Sequence, residues 1–552
     1  MPAIIDFDGH PPDDDKPIGI DVATREFLRA FFRHAEQNQF PCVCPNDVAF
    51  TNFVEYAGEE NIASPRCIAL NRHDEAGIEA SGVLVRYDPG LVRQAWLRRQ
   101  HGQRRYSLTG IAHASASDAA MRAIGDYMTA PLQEWDALIC PSRAIQSAVL
   151  SIIDAWCVYL GEKFGMEPNC PIELPIIPLG VDTGHLARIT GGEFRKDQRQ
   201  KLGLGDDEIA ILYVGRLNFV AKANPLPLFI AAEETAKRSL RPVKLLLNGY
   251  FNDEENESAF QEAATSILDK ASLQIVRHGD QSFPDGLWAA ADIFCSLSDN
   301  IQESFGLTPV EAMAAGLPSI VSDWNGYRES IRHGVDGYTV PTLMPPPGSG
   351  GDIAYRYFTR QNTYGDYLGA QSQSTSVDMG ALQQALYQLV NDDGMRKTMA
   401  AAAKQRAEET YDWSHVISAY EELWDELTQR RMSAVELAER VDQQPFHPTH
   451  PDPFDMFQSF ATTTLEMDGR VKLSGLDWEQ SFARIKLKTG LVYSGTLMEL
   501  EELPFLIGHL EANPEASVHE ILAALPHVEP ARLQRTLVWL VKLGICQYLP
   551  GA

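Results

Sequence analysis

Positive charge is scarce in this 552-residue chain: 47 lysines and arginines stand against 75 aspartates and glutamates, a formal net charge of −28. A field of that sign repels DNA, RNA and anionic lipid unless a local basic patch overrides it, so nucleic acid is not an expected partner. Cysteine is also sparse, with eight residues scattered along the chain. Only Cys42 and Cys44 lie close together, and no second pair stands at zinc-ligand spacing, so both are read as reduced thiols. No apolar run reaches the roughly 18 residues needed to span a bilayer. The opening Met1-Pro-Ala-Ile-Ile-Asp-Phe-Asp8 lacks the basic and apolar segments of a secretion signal. Together these absences lead to the expectation of a cytoplasmic chain without stable membrane insertion. A Walker loop, a G-x-G-x-x-G turn and a zinc-type histidine pair are missing too. The acidic run Asp13-Asp-Asp15 reads as a solvated tail rather than a metal site.

What is present is an ordinary globular composition, 44% hydrophobic and 22% charged, in a chain too long for one core. From about Pro17 to Asp182, helical and strand-like stretches alternate. Val22 to Ala35 carries Phe27, Leu28, Phe31 and Phe32 at helical spacing. Asp136-Ala-Leu-Ile-Cys140 reads as a strand, after which Ser142 caps a helix starting near Arg143. A second alternating set begins at Ile209-Ala-Ile-Leu-Tyr-Val214, an apolar run suited to a strand buried on both faces of a parallel sheet. Further strands are expected at Lys244–Gly249, Leu273–Val276, Ile293–Leu297, Ser319–Ser322 and Gly337–Val340, with a helix from about Pro227 to Arg238. Two such series imply two Rossmann-like domains facing a cleft. From Met344 to Ser376 the pattern breaks into a turn-rich insertion containing Tyr355, Tyr357, Tyr364 and Tyr367. Helices resume at Met379, and a long one is expected over Ser414–Leu437. A proline-rich linker over 441–456 then leads to a third, mostly helical unit.

The stretch most informative about chemistry runs from Ser296 to Pro318. A strand ends at Leu297 and a polar loop follows, with Gly306 allowing close approach of a ligand to the backbone. Thr308 is expected to be the N-cap of the next helix, with Pro309 at its first position and Thr308–Glu311 as a capping box. Unpaired N–H groups at such a loop and helix start form an anion site of the size a diphosphate needs. Glu303 and Glu311 bracket the loop with seven residues between them, so they can grip different parts of one extended ligand. Upstream, Val214-Gly-Arg-Leu217 ends a strand, with Lys222 shortly after. Gly215, Arg216 and Lys222 therefore fall where a Rossmann-like sheet binds ligand, and the two cations could neutralise a leaving diphosphate. In the first domain, Ser107-Leu-Thr-Gly-Ile-Ala-His113 reads as a strand ending in a histidine.

These residues resemble the E-x7-E signature of glycosyltransferase family 4, a retaining family with the GT-B fold. Gly316-Leu-Pro-Ser-Ile-Val-Ser-Asp323 and Gly334-Val-Asp-Gly-Tyr-Thr-Val-Pro341 are similar to the family's usual continuation. The likeness covers about Pro17 to Leu427 and is strongest from Tyr213 to Thr342. It implies that Glu303 holds the donor sugar hydroxyls and Glu311 the ribose, with the backbone of Phe305, Gly306 and Leu307 near the phosphates. It also implies a donor-site role for His113 and places Gly19 in the loop after the first strand, where the usual Gly-Gly pair is lacking. The expected fold is thus α/β, with an N-terminal Rossmann-like domain over 1–182 completed by a returning helix at 411–440. A nucleotide-sugar-binding domain spans 183–410, and an accessory domain over 457–552 resembles a winged helix. The expected activity is transfer of a hexosyl group from a UDP- or GDP-sugar to an unidentified acceptor, glycan, small molecule or protein, without a metal. The accessory domain is expected to recognise a protein or carrier. Two alternatives stay open: a nucleotide-sugar epimerase of the same architecture, and a non-catalytic scaffold acting through its last hundred residues.

Overall fold

The computed structural model describes residues 3–9, 19–71, 74–283, 286–441, 444–489 and 493–551, which leaves Asp13–Asp15 outside the described residues. The chain divides into two compact units, 1–446 and 447–552.

The larger unit holds two parallel six-stranded sheets. The first is built from β1 (Ala3–Asp6), β2 (Phe40–Val43), β3 (Cys67–Leu70), β4 (Val83–Val85), β5 (Ser107–Ile111) and β6 (Ala137–Ile139), in the spatial order β3-β2-β1-β4-β5-β6. The second contains β7 (Ile209–Val214), β8 (Val243–Gly249), β9 (Ser272–Arg277), β10 (Ile293–Ser296), β11 (Ser319–Ser322) and β12 (Gly337–Val340), in the order β12-β11-β10-β7-β8-β9. Both repeat the doubly wound 3-2-1-4-5-6 arrangement, in which loops at the carboxyl ends of the strands bind ligands. Helices cover both faces, which is why strands such as Ile209–Val214 are apolar without alternation.

The two halves are joined twice. Extended chain around Val181 pairs with the segment before the helix Trp413–Ser433: Val181 N donates to Tyr411 O (2.8 Å) and Trp413 N to Val181 O (3.3 Å). That helix then lies on Gly19–His34, where Phe27 meets Trp413 and Tyr420, and Phe31 meets Trp424. The expected first-domain helix is therefore present, three residues earlier than its apolar spacing indicates.

Several expectations need correction. The central strand of the first sheet is β1, within the opening stretch read above only as lacking a signal. Its four residues, all buried, are too few for a periodic pattern. The insertion is not all turns: it contains the helices Gly351–Phe358 and Tyr364–Ser372, the second closed by a Thr363–Asp366 capping box. The helix Arg143–Phe164 also meets the length and composition for a membrane span, with mean hydropathy 1.5 and only 17% of the 18-residue window buried. Polar residues such as Gln146, Ser151 and Asp154 interrupt it, so no continuous apolar run marks it in the sequence. Its N-terminus is as expected: Ser142 Oγ accepts from Ile145 N at 3.3 Å. Cys42 and Cys44 are not joined in a disulfide, and their sulfurs lie 3.3 Å apart at hydrogen-bonding distance.

The smaller unit pairs Arg470–Leu473 with Cys546–Leu549 as an antiparallel ribbon. Around it lie Leu503–Ala512, Val518–Ala524 and Pro530–Lys542, with Leu506, Leu533, Leu537 and Leu540 fully buried. The strand Arg470–Leu473 was not anticipated, because only its partner at the chain end carries an apolar run.

Candidate active site

A cavity of about 300 Å³ opens between the two halves of the larger unit. The first half lines it with the start of the helix Gly19–His34 and with His113, which lies just beyond β5. The second half contributes Gly215, Arg216, Lys222, Glu303, Gly306, Leu307 and Glu311. Of the residues singled out by sequence, only Phe305 is absent from the lining. Its side chain is 2% exposed and packs against the Tyr411 ring, which turns it toward the core.

Gly306 sets the local geometry. Its φ of +91° turns the chain so that Leu307 is already helical, and a Cβ there would overlap the Tyr327 ring. The helix therefore runs Leu307–Ala314 with Gly306, not Thr308, as its N-cap, and the expected Thr308–Glu311 capping box does not form. Thr308 instead lies one residue inside the helix, on the cavity wall. Close packing also fixes Gly249 at the end of β8, where a Cβ would collide with the carbonyl of Gly215.

The glutamate loop is held from several directions. The Asn325 side chain donates to the carbonyl of Glu303. Ser142 of the first half donates to Ser304 O at 2.7 Å. Glu303 forms an ion pair with Lys222, both largely shielded from solvent. Arg216 Nη2 donates to Gln302 Oε1 at 2.9 Å. The two cations expected at this point thus converge on the same loop as the first glutamate. Lys222 is carried by a tight turn in which Asn218 Oδ1 accepts from Val220 N and Ala221 N (2.9 and 2.7 Å).

Burial sets the protonation states. His113 is 7% exposed, and desolvation lowers its pKa to about 4 against the weak opposing pull of Asp88, so the ring is neutral at pH 7. Among the described residues, its Nε2 has no hydrogen-bond partner. Glu311 is pushed up to about 7 by burial and by Glu26, with Lys222 opposing. Asp299, beneath the Lys222 turn, is likewise raised to about 7 by burial, and its Oδ1 lacks a partner among the described residues. No sequence pattern marks Asp299, because the burial that raises it comes from tertiary packing. Asn248, Tyr250 and His278 also line the cavity and were missed. Asn248 lies near the end of β8, Tyr250 follows that strand and His278 follows β9, and their only signal is a polar residue where a doubly wound strand ends.

The raised Glu311 couples folding to pH. Its folded pKa of about 7 exceeds the unfolded value of 4.5, so the native state binds the extra proton and loses stability as pH rises through this window. Glutamine does not titrate. Thermal melts of Glu311→Gln and the parent at pH 5 and pH 8 are expected to favour the variant more at pH 8. An unchanged difference would mean that Glu311 is not desolvated.

Residues 194–343 match the family Glycosyl transferases group 1. The chain is 29% identical over 190 residues to a D-inositol 3-phosphate glycosyltransferase of Geodermatophilus obscurus, covering 34% of this chain and 40% of the relative. It is 26% identical over 209 residues to a phosphatidyl-myo-inositol mannosyltransferase of Mycobacterium leprae, covering 38% and 44%. The chain thus spans less than half the length of either relative. Among solved structures, Anabaena HepE in complex with UDP superposes with a TM-score of 0.51 at 16% identity, covering 77% of this chain and all of the other. A glycosyltransferase from Rickettsia africae superposes at 0.52 and 13% identity, covering 79% of this chain and all of its own. The match in sequence falls on the half that carries Gly215, Arg216, Lys222 and the glutamate loop, and the match in shape extends over both halves: the larger unit has the GT-B fold.

Proposed function

We propose that the chain is a retaining glycosyltransferase that moves a hexosyl group from a UDP- or GDP-sugar to an acceptor hydroxyl. The observation that carries this reading is the cavity between the halves, which gathers Arg216, Lys222, Glu303, Glu311, His113 and the Gly306 turn. A diphosphate needs cations that the acidic bulk does not provide, and Arg216 and Lys222 supply them at the end of β7. Phosphate oxygens entering there compete with Glu303 for Lys222 and leave the carboxylate to accept the sugar hydroxyls. The amides of Gly306 and Leu307 at the helix start add an anion site. Neutral His113 cannot serve as a cation, and its unpaired Nε2 is suited to a sugar hydroxyl. Glu311 reaches the ribose from inside the helix.

In the reaction, the bond from the anomeric carbon to the diphosphate oxygen breaks, and its electron pair leaves with the phosphate held by Arg216 and Lys222. The acceptor oxygen attacks the same face of the oxocarbenium-like sugar and passes its proton to the departing phosphate oxygen. Configuration is thereby retained without a covalent intermediate on the protein. The stabilisation is electrostatic and preorganised, and no metal is required by this scheme.

A panel of UDP- and GDP-sugars tests the reading without knowledge of the acceptor. Slow hydrolysis of one donor, releasing the sugar first in the anomeric configuration it had in the donor, is the expected result by NMR. Inverted product rules out retention, and an isomerised nucleotide sugar recovered without hydrolysis points to the epimerase reading instead. The unit 447–552 is proposed to bind the acceptor or its carrier.

A further inference from the structure

The insertion between β12 and the helix Met379–Asn391 carries a second, unassigned contribution to the cleft. One of its two helices, Tyr364–Ser372, lies against both the Lys222 turn and the loop that leads into Glu303. From Tyr364–Ser372, Gln371 Oε1 accepts Ile301 N at 3.2 Å, next to Gln302, the partner of Arg216. Ser372 Oγ donates to Val220 O at 3.3 Å, and Asn300 Nδ2 donates to the same carbonyl at 2.7 Å. Asn300 also accepts Gln302 N through its Oδ1 at 2.8 Å. Gly369 sits so close to Val220 that a Cβ would lie 3.0 Å from its Cγ1. The other helix, Gly351–Phe358, reaches the opposite half, where Asp118 N donates to the Tyr357 hydroxyl at 2.9 Å. Tyr357 stacks on Tyr367, with centroids 4.5 Å apart and planes 12° from parallel. The two helices are therefore joined through their rings.

Nothing in the Rossmann-like framework requires these contacts. The Lys222 turn is also held by Phe219 N donating to Asn256 Oδ1 (3.2 Å) and by Ser298 Oγ donating to Lys222 O (3.4 Å). Among the described residues, however, the side chains that reach its Val220 carbonyl are Asn300 and, from the insertion, Ser372. The Gln302 carboxamide that holds Arg216 lies on an irregular loop with no strand partner beside it. Such elements lose alignment readily, and misplacement of charged groups by about 1 Å can reduce a rate by about 10²-fold.

We propose that the 344–376 insertion is a strap that positions the phosphate-binding cations: Gln371 and Ser372 fix the loops of Gln302 and Lys222, while Tyr357 ties the strap to the first half. Gln371 and Ser372 are positioning residues, since they touch the loops rather than the cavity. This inference rests on the glycosyl-transfer reading, because it assigns Arg216 and Lys222 to a diphosphate.

The test uses the full chain with UDP, GDP and their nucleosides as probes. In the parent, one of the two diphosphates binds. In Gln371→Ala/Ser372→Ala, affinity for that diphosphate is expected to fall about tenfold, while affinity for its nucleoside stays unchanged, because only the diphosphate meets the two cations. Gln371→Glu keeps an acceptor for Ile301 N and is expected to retain most of the affinity that Gln371→Ala loses. If the double variant does not fold, the two Gln371 variants alone give the comparison. Equal loss for diphosphate and nucleoside would mean general loosening and overturn the strap, as would no loss at all. A parent that binds neither diphosphate fails at the earlier step: the glycosyl-transfer reading falls, and the strap with it.

Discussion

Replacing Arg216 with alanine is expected to slow donor cleavage by about 10²–10³-fold, the usual consequence of removing a preorganised group from developing charge. Among the described residues lining the cavity, Arg216 and Lys222 are the two that carry a permanent positive charge. His113 is neutral at working pH, and the chain's net charge of −28 offers no background compensation. Loss of either cation therefore leaves the leaving diphosphate beside Glu303 with about half its neutralisation. Lysine at position 216 restores charge without the planar fork that meets two oxygens, so Arg216→Lys should recover only part of the rate. Glu303→Ala should fall into the same range for a different reason, since it removes the acceptor of sugar hydroxyls and frees Lys222 from its present partner. Initial rates of donor hydrolysis for these variants, measured on protein with an unchanged melting temperature, provide the check. Parent-like rates in either alanine variant would remove the proposed mechanism.

The largest effect on stability is expected far from the cavity. Arg98 and Asp136 form a bidentate ion pair with both side chains at 0% exposure, at 2.6 Å for each contact. Asp136 also accepts Leu108 N and Gln133 N at 2.9 Å, and Arg98 donates to Tyr106 O at 2.7 Å. The pair thereby pins the edge of the first sheet to the helix Val92–His101. Asp136→Ala strands a buried guanidinium and is expected to cost roughly 3–5 kcal/mol, whereas Arg98→Met/Asp136→Leu should recover much of that loss by removing both charges. Urea unfolding followed by tryptophan fluorescence can report it, because Trp135 is fully buried beside the pair. A single variant as stable as the parent would contradict the buried geometry.

How much of this was legible in the sequence differs between the halves. The second sheet announces itself, because β7 is six apolar residues in a row and β8 carries the run Leu245-Leu-Leu247. The first sheet uses strands of three to five residues, so Ala3–Asp6 and Val83–Val85 pass unnoticed although both are entirely buried. Glu303, Glu311, Arg216 and Lys222, which line one cavity, stand out in the sequence because strand ends and a glycine turn leave local marks. His113 was weighted as a site residue by family resemblance, and the structure adds its burial and its unpaired nitrogen. The capping of Leu307–Ala314 was misread for a physical reason: a left-handed glycine can start a helix without a side-chain cap, and the pattern Thr-Pro-Val-Glu offers a more familiar alternative. Asp299 and the strap contacts depend on residues 70 to 239 positions apart meeting in space, which no local pattern encodes.

Glycosyl transfer by this chain requires that the cavity between the halves bind a nucleotide diphosphate. Titration calorimetry of the full chain with UDP and with GDP measures this directly, in parallel for the parent and Arg216→Ala. One diphosphate binding the parent at one site per chain, with affinity at least about tenfold weaker in the variant, is the predicted result. Binding of neither, or binding that ignores the loss of Arg216, would contradict it.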